Sequence, residues 1–234
     1  MIDCHCHLDE SADLKSAQKC GVKFLITAAT NFDDFQKTFN ATKNPAVFAV
    51  LGVHPFYAEN PFEISELAKF LENEKVLGIG EIGLDFSPAH KKSVAAQIAI
   101  LEKQLALAHD TQKPVVLHCV KSGAALFESL KKYKIRGVLH GFGGSVEEAK
   151  NFLKRGFKIS FNGNLLKENF KRTRQLAQTL PADSLLLESD FPFASQLLDL
   201  PKTLRELVAL RGESFENLKT QIFQNSCEIF DFPR

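Results

Sequence analysis

The chain has 234 residues, 44% of them apolar and 24% charged, with 29 Lys plus Arg against 28 Asp plus Glu. That length suits one large domain with a sizeable core, and the composition excludes a disordered chain. A net charge of +1 excludes a strongly basic nucleic-acid binder of the histone type, while leaving room for a local basic patch.

Short runs rich in Val, Ile and Leu alternate with longer helix-like segments along the whole chain. The runs lie near residues 1–6, 23–28, 46–53, 76–82, 114–119, 137–140, 157–161 and 185–188, and they predict eight strands. Residues 61–71 and 122–130 read as helices between them. Over 94–109, the apolar side chains of Val94, Ile98, Leu101, Leu105 and Ala108 share one helical face. Ser145-Val146-Glu147-Glu148 has the spacing of a capping box, with Glu148 three positions after the Ser. Strands this apolar, each followed by a helix, imply a parallel sheet covered on both faces. No Pro/Ser/Gly linker divides the chain. The expectation is therefore α/β, one single-domain (β/α)8 TIM barrel over residues 1–234. A doubly wound open sheet is the rival, but no G-x-G-x-x-G follows the first run, which leaves a dinucleotide-binding version little support.

No stretch approaches the roughly 18 to 20 apolar residues of a membrane span. Residues 1–7 lack a basic segment leading into an apolar run. The expectation is a cytoplasmic chain with no membrane partner. Its five cysteines then read as reduced thiols.

In a barrel, function collects at the C-terminal ends of strands. Five of the seven histidines fall there: His5, His7, His54, His118 and His140. Strand alternation puts His5 and His7 on one face, able to chelate one ion, and Cys4 and Cys6 on the other. Cys4, Cys6, Cys20, Cys119 and Cys227 read as small apolar residues packed under helices. Glu81 follows an apolar run among Gly78, Gly80 and Gly83. A carboxylate buried there needs a partner, and one carboxylate can bridge two cations. His118 and His140 end apolar runs singly, and Asp190 follows the eighth. Each alone reads as a core or turn residue. Together they form an imidazole–carboxylate pocket suited to two divalent ions and an activated water. Such ligation suits zinc, manganese or nickel better than calcium.

Six motifs carry a family resemblance: Asp3-Cys4-His5-Cys6-His7-Leu8, Gly52-Val53-His54-Pro55, residues 78–85 (GIGEIGLD), residues 114–118 (PVVLH), residues 140–145 (HGFGGS) and Leu186-Leu187-Glu188-Ser189-Asp190. In this order the chain resembles the TatD family of metal-dependent hydrolases over essentially its whole length. Residues 225–230 are similar to the family's C-terminal Asn-to-Phe segment.

The resemblance implies a TIM barrel and metal-dependent hydrolysis of phosphodiester bonds, chiefly 3′-to-5′ deoxyribonuclease activity. It implies two divalent ions, magnesium, manganese or zinc. His5, His7 and Asp190 would hold one, His118 and His140 the other, and Glu81 would bridge them. His54 and Asp85 match positions at the mouth, as phosphate contacts or supports, and Glu188 would orient the surroundings of Asp190. Besides binding metal, Asp190 would accept the proton of the attacking water, and His54 would stabilise the phosphate or leaving group.

Two stretches depart from the family pattern. Val120 stands where many relatives have an Arg, with Lys121 as a partial substitute in contacting substrate. The loop after Asp190, Phe191-Pro192-Phe193-Ala194-Ser195-Gln196, is short. Lys167, Lys171, Arg172 and Arg174 form the one basic gathering, and they read first as a solvated helix face and second as a guide for phosphates. Phe56, Tyr57, Phe86, Phe142, Phe191 and Phe193 follow strand ends and are candidates for stacking bases. The expected partner is DNA, single-stranded or at 3′ ends, and a monomer is favoured. The alternative is a metal-dependent amide, lactone or ester hydrolase, including deacylation of aminoacyl esters. It ranks second because many such enzymes bridge their metals with a modified lysine where this chain has Glu81. A non-catalytic scaffold ranks third, since it would have no use for the ligand set.

Overall fold

The computed structural model describes residues 1–9 and 11–232. Eight strands run in chain order: β1 (Ile2–Cys6), β2 (Phe24–Ala28), β3 (Val47–Leu51), β4 (Val76–Asp85), β5 (Val115–Val120), β6 (Gly137–Leu139), β7 (Phe157–Phe161) and β8 (Leu185–Leu187). Between them lie α1 (Leu14–Lys19), α2 (Phe35–Ala41), α3 (Ile64–Leu71), α4 (Val94–Thr111), α5 (Gly123–Leu130), α6 (Val146–Leu153) and α7 (Lys171–Thr179). Two more, α8 (Leu200–Arg211) and α9 (Phe215–Ile229), follow β8.

Each strand pairs in parallel with the next, in the order β1 to β8. The barrel is nearly closed, and the segment just past β8 completes the seam. Asp190 N–H donates to the His5 carbonyl at 2.9 Å, and His7 N–H donates to the Phe191 carbonyl at 2.7 Å. The fold is thus the expected TIM barrel. The strands sit where the apolar runs placed them, with ends shifted by a few residues. The largest shift is in β4, which continues to Asp85 because residues 82–85 pair with 117–120 of β5. Gly83 permits that pairing. Its φ is +143°, and a Cβ there would overlap the His118 backbone.

Two apolar layers result. One lies between strands and helices and includes Leu25, Leu51, Ile79, Leu101 and Leu117. The other fills the barrel and its N-terminal end with Ile2, Cys4, Ile26, Phe48, Val50 and Leu186, sealed by Ile229, Phe230 and Phe232 from the end of the chain. Asn225 pins α9 in place by donating to the Ala182 and Leu185 carbonyls at 2.8 and 2.9 Å.

Three expectations need correction. First, the register of β1 shifts between Asp3 and Cys6. Cys4 therefore packs inside the barrel and Cys6 packs under the helices, instead of both facing the helices. Second, Cys20 is exposed at the end of α1. Third, the buried face of α4 holds Gln97, Ile100, Leu101, Gln104, Leu105 and Ala108, while Val94 and Ile98 are half-buried. The capping box of α6 is present as expected, with Ser145 accepting from Glu148 N–H and Glu148 accepting from Ser145 N–H. Among the described residues no helix is long and apolar enough to cross a membrane.

Candidate metal centre

The C-terminal ends of the strands converge on Glu81, which is buried within β4. Backbone bonds to neighbouring strands fix its surroundings. Glu81 N–H donates to Ala29 O at 3.1 Å, His54 N–H to Thr30 O at 2.8 Å, and His140 N–H to Leu117 O at 3.1 Å.

The two Glu81 oxygens face different histidines. Oε2 lies 3.3 Å from His5 Nε2 and 3.2 Å from His7 Nε2. Oε1 lies 3.2 Å from His54 Nε2, 2.9 Å from His118 Nδ1 and 2.7 Å from His140 Nε2. Asp190 Oδ1 approaches the first group, 3.8 Å from His5 Nε2 and 4.0 Å from His7 Nε2. Asp190 can aim there because its backbone takes a left-handed φ of +49°, which Asp tolerates better than most residues.

The outer ring nitrogens separate the histidines by role. His7 Nδ1 sits 3.0 Å from the Ala28 carbonyl, so it is the N–H, and Nε2 keeps its lone pair for the pocket. His118 Nε2 faces Asp85 Oδ2 at 3.2 Å, so in the neutral ring Nε2 carries the hydrogen and the lone pair is on Nδ1, toward Glu81. His54 is the reverse. Its Nδ1 accepts Phe56 N–H at 3.2 Å, so Nε2 carries the hydrogen and donates into the pocket. In their neutral forms His54 is thus a donor, and His7 and His118 present lone pairs that a cation could take.

Electrostatics follow from crowding. Burial pushes His5 down to about 3, helped by the charge on His140. His140 goes the other way, up to about 10, because the Glu81 charge outweighs burial. Burial likewise opposes but does not prevent a Glu81 acidity well below the usual carboxylate range, held there by His140 and His54.

A divalent cation fits this donor set. His5 has both ring nitrogens buried without a hydrogen-bond partner, and its neutral Nε2 points at two carboxylates. Three groups of ligand atoms lie mutually within 4.8 Å: His5, His7 and Asp190; His5, Glu81 and His140; and His54, Glu81 and His118. Imidazole plus carboxylate is the chemistry of zinc, manganese and related ions.

The structure brings His5, His7, His54, Glu81, His118, His140 and Asp190 together as the sequence anticipated. It places the supports elsewhere. Asp85 is buried behind His118, accepting Ser87 N–H at 2.7 Å, and does not face the mouth. Glu188 stands behind His140 instead of Asp190. It accepts from Gly141 N–H at 2.8 Å, Asn162 Nδ2 at 3.1 Å and the Ser160 hydroxyl, with His140 Nδ1 at 3.9 Å. Lys121 is exposed with a left-handed φ of +53° and does not line the pocket. Phe142 and Phe191 are buried and Phe86 packs on the core, so none is available to stack a base. In the basic gathering, Arg174 is paired with Glu206 at 2.7 Å and Lys167 bonds Asn164, while Lys171 and Arg172 are exposed.

Sequence reasoning missed Gln97 and Gln104. Each is fully buried and bonds one backbone unit at both its N–H and its carbonyl. Gln104 accepts Val53 N–H at 2.7 Å and donates to Val53 O at 3.1 Å. Gln97 does the same for Asp85 at 2.8 and 3.0 Å. They therefore hold the chain at His54 and at Asp85. The available signal was two amides seven residues apart on an otherwise apolar helix face.

A family model described as TatD related DNase matches residues 2–231. The chain belongs to the TatD-related DNase family of metal-dependent hydrolases. It is 31% identical to the uncharacterised metal-dependent hydrolase YjjV of Escherichia coli K12, covering 99% of this chain and 98% of that one. The crystal structure of YjjV, a TatD homologue, superposes with a TM-score of 0.91, covering 100% of this chain and 98% of that chain. The chain is also 32% identical to the 3′-5′ ssDNA/RNA exonuclease TatD of Pantoea vagans, covering 95% of this chain and 93% of that one. The family's barrel is this barrel, and its metal dependence agrees with the histidines gathered around Glu81.

Proposed function

We propose that the protein hydrolyses phosphodiester bonds of DNA from the 3′ end. The observation that carries this is Glu81, a single buried carboxylate whose two oxygens face two separate histidine groups. The naming of the Pantoea vagans relative as a 3′-5′ ssDNA/RNA exonuclease supports the substrate class.

In this reading His5, His7 and Asp190 would hold one divalent ion, His118 and His140 would hold a second, and Glu81 would serve both. Bound there, the ions would polarise phosphate and make water nucleophilic near neutral pH. The chain's residues do the rest. Asp190, its carboxylate at the pocket floor, accepts the proton of the attacking water. His54 offers Nε2–H to the phosphate or to the leaving oxygen. Asp85 fixes the His118 ring through Nε2, and Glu188, with Ser160 and Asn162, backs His140.

The test is degradation of 3′-labelled single-stranded DNA with magnesium, manganese or zinc, beside Glu81→Ala, with bound metal measured in both proteins. Metal-dependent shortening from the 3′ end, lost in Glu81→Ala, is the expected result. Tight metal binding without cleavage of DNA would move the assignment to a small ester or amide. One observation favours that second reading: among the described residues, the pocket, about 430 Å³, has neither Lys nor Arg in its walls.

A further inference from the structure

The rim of the metal pocket is aromatic where a nucleic-acid groove is usually basic. Phe56, Tyr57 and Phe193 line it, and they are 49%, 36% and 74% exposed. The three rings are not equivalent. Phe56 stacks on His90 with centroids 3.8 Å apart and meets His54 edge-on at 4.3 Å, so it is already engaged. Phe193 has one ring neighbour, His7, edge-on at 5.3 Å. Its backbone is nevertheless held. Phe193 N–H donates to the Asp190 carbonyl at 2.8 Å, and Ala194 N–H joins it at 3.0 Å. The backbone under the ring is thus held, the ring's edge meets His7 of the metal centre, and its body stands in water.

Charge around the rim does not suit a phosphate backbone. Beyond Tyr57 a cavity of about 410 Å³ is lined by Asp33, Glu63 and Glu66, with no Lys or Arg among the described residues. On the other side of Phe193 a cavity of about 200 Å³ has, among the described residues, one Lys or Arg, Lys37, beside Asp9 and Asp34. Phe193 lines both this cavity and the metal pocket, so it stands as a partition between them.

We infer that Phe193 is a specificity-determining stacking platform, and that the protein takes nucleic acid by an unpaired terminal base instead of along its backbone. This rests on the phosphodiesterase reading above. The base lies on the Phe193 ring and the scissile phosphate reaches the adjoining centre, whose His7 meets that ring edge-on at 5.3 Å. Every base has a π-face, so such a site tolerates sequence. It has little use for length, because the acidic cavity beyond Tyr57 repels a following phosphate. Dinucleotides and frayed ends are therefore the substrate class, and duplex interiors are excluded.

The experiment measures binding and cleavage separately on the metal-loaded protein. Binding is measured by calorimetry, using a thymidine dinucleotide with an uncleavable methylenephosphonate link, its abasic analogue and a single-stranded 20-mer with the same links. We expect the dinucleotide to bind within a fewfold of the 20-mer, and the abasic analogue to bind roughly ten- to a hundredfold more weakly. Phe193→Ala should erase the difference between base and abasic site, and Phe193→Tyr should restore it. The plot of log affinity against log salt should be no steeper than about one phosphate contact requires. Affinity that climbs with length and falls steeply with salt, or Phe193→Ala that still prefers the base, overturns the inference. Cleavage of natural dinucleotides is read in parallel. Base-dependent binding through Phe193 without cleavage would defeat the nuclease reading and leave the platform standing. Cleavage indifferent to the base in both wild type and Phe193→Ala would do the opposite, and failure of both binding and cleavage would overturn both.

Discussion

The two ends of this barrel are built from opposite materials. At the N-terminal end Phe24, Phe48 and Phe232 pack ring on ring, with centroids 4.8 to 5.8 Å apart. Lys75 lies 4.1 Å above Phe48 and Lys23 5.3 Å from Phe24. At the C-terminal end five imidazoles surround one carboxylate. The first end gains stability from burial and cation–π contacts. The second forfeits it, since buried polar atoms such as both nitrogens of His5 lack partners. The aromatic end seals the barrel beneath the polar end, and a bound cation would give those atoms partners.

That division can be broken in two ways. At the polar end, Glu81→Ala removes the group facing both histidine sets. The proposed phosphodiesterase activity should fall by about 10³-fold or more. Thermal stability of the metal-free protein should fall as well, since His140, kept protonated by the Glu81 charge, is left buried without its counter-charge. A Glu81→Ala protein with tight metal and near-normal rate would remove Glu81 from the centre. At the aromatic end, Phe48→Ala should cost about 3 to 5 kcal/mol of unfolding free energy by leaving a cavity. Its activity per folded molecule should be unchanged at low temperature. A Phe48→Ala protein with full stability but impaired turnover would show that the two ends are not separable.

The polar end was more legible in sequence than its supports. Histidines ending apolar runs stand out because strand ends point into a barrel mouth, and Glu81 stands out because a carboxylate among glycines has no other use. The supports were misplaced because they act across strands. Glu188 follows β8, yet it reaches over β7 to Ser160, Asn162 and His140. Its distance from Asp190 along the chain says nothing about that. The parity of β1 was misread for a local reason. A register shift between Asp3 and Cys6 turns His5 and His7 to the same pocket while sending the cysteines to different layers. The shift leaves no mark in a five-residue strand.

A smaller change sharpens the comparison within the polar end itself. Glu188→Gln keeps the volume and most hydrogen bonds but removes the charge behind His140. Burial raises Glu188 to about 7, so its charge is already held at a cost. Metal affinity should drop by about 10- to 100-fold, the usual effect of losing an outer partner of a ligating imidazole. Metal titration reads this directly. Unchanged affinity would mean that Glu188 only satisfies Gly141, Ser160 and Asn162.

The smallest expected effect concerns the amides on α4. Gln104→Met preserves bulk but leaves the Val53 N–H and carbonyl unpaired in a dry interface. The cost should be about 1 to 3 kcal/mol of stability, read by denaturant unfolding. Catalytically the change should be selective. Val53 precedes His54, whose Nδ1 accepts Phe56 N–H and whose Nε2 therefore donates instead of ligating. Turnover should fall while bound metal stays constant. Gln97→Met, which frees Asp85 behind the proposed ligand His118, should lower metal affinity as well. If both variants lost metal equally, His54 would have to be a ligand, and the tautomer drawn from its backbone contact would be wrong.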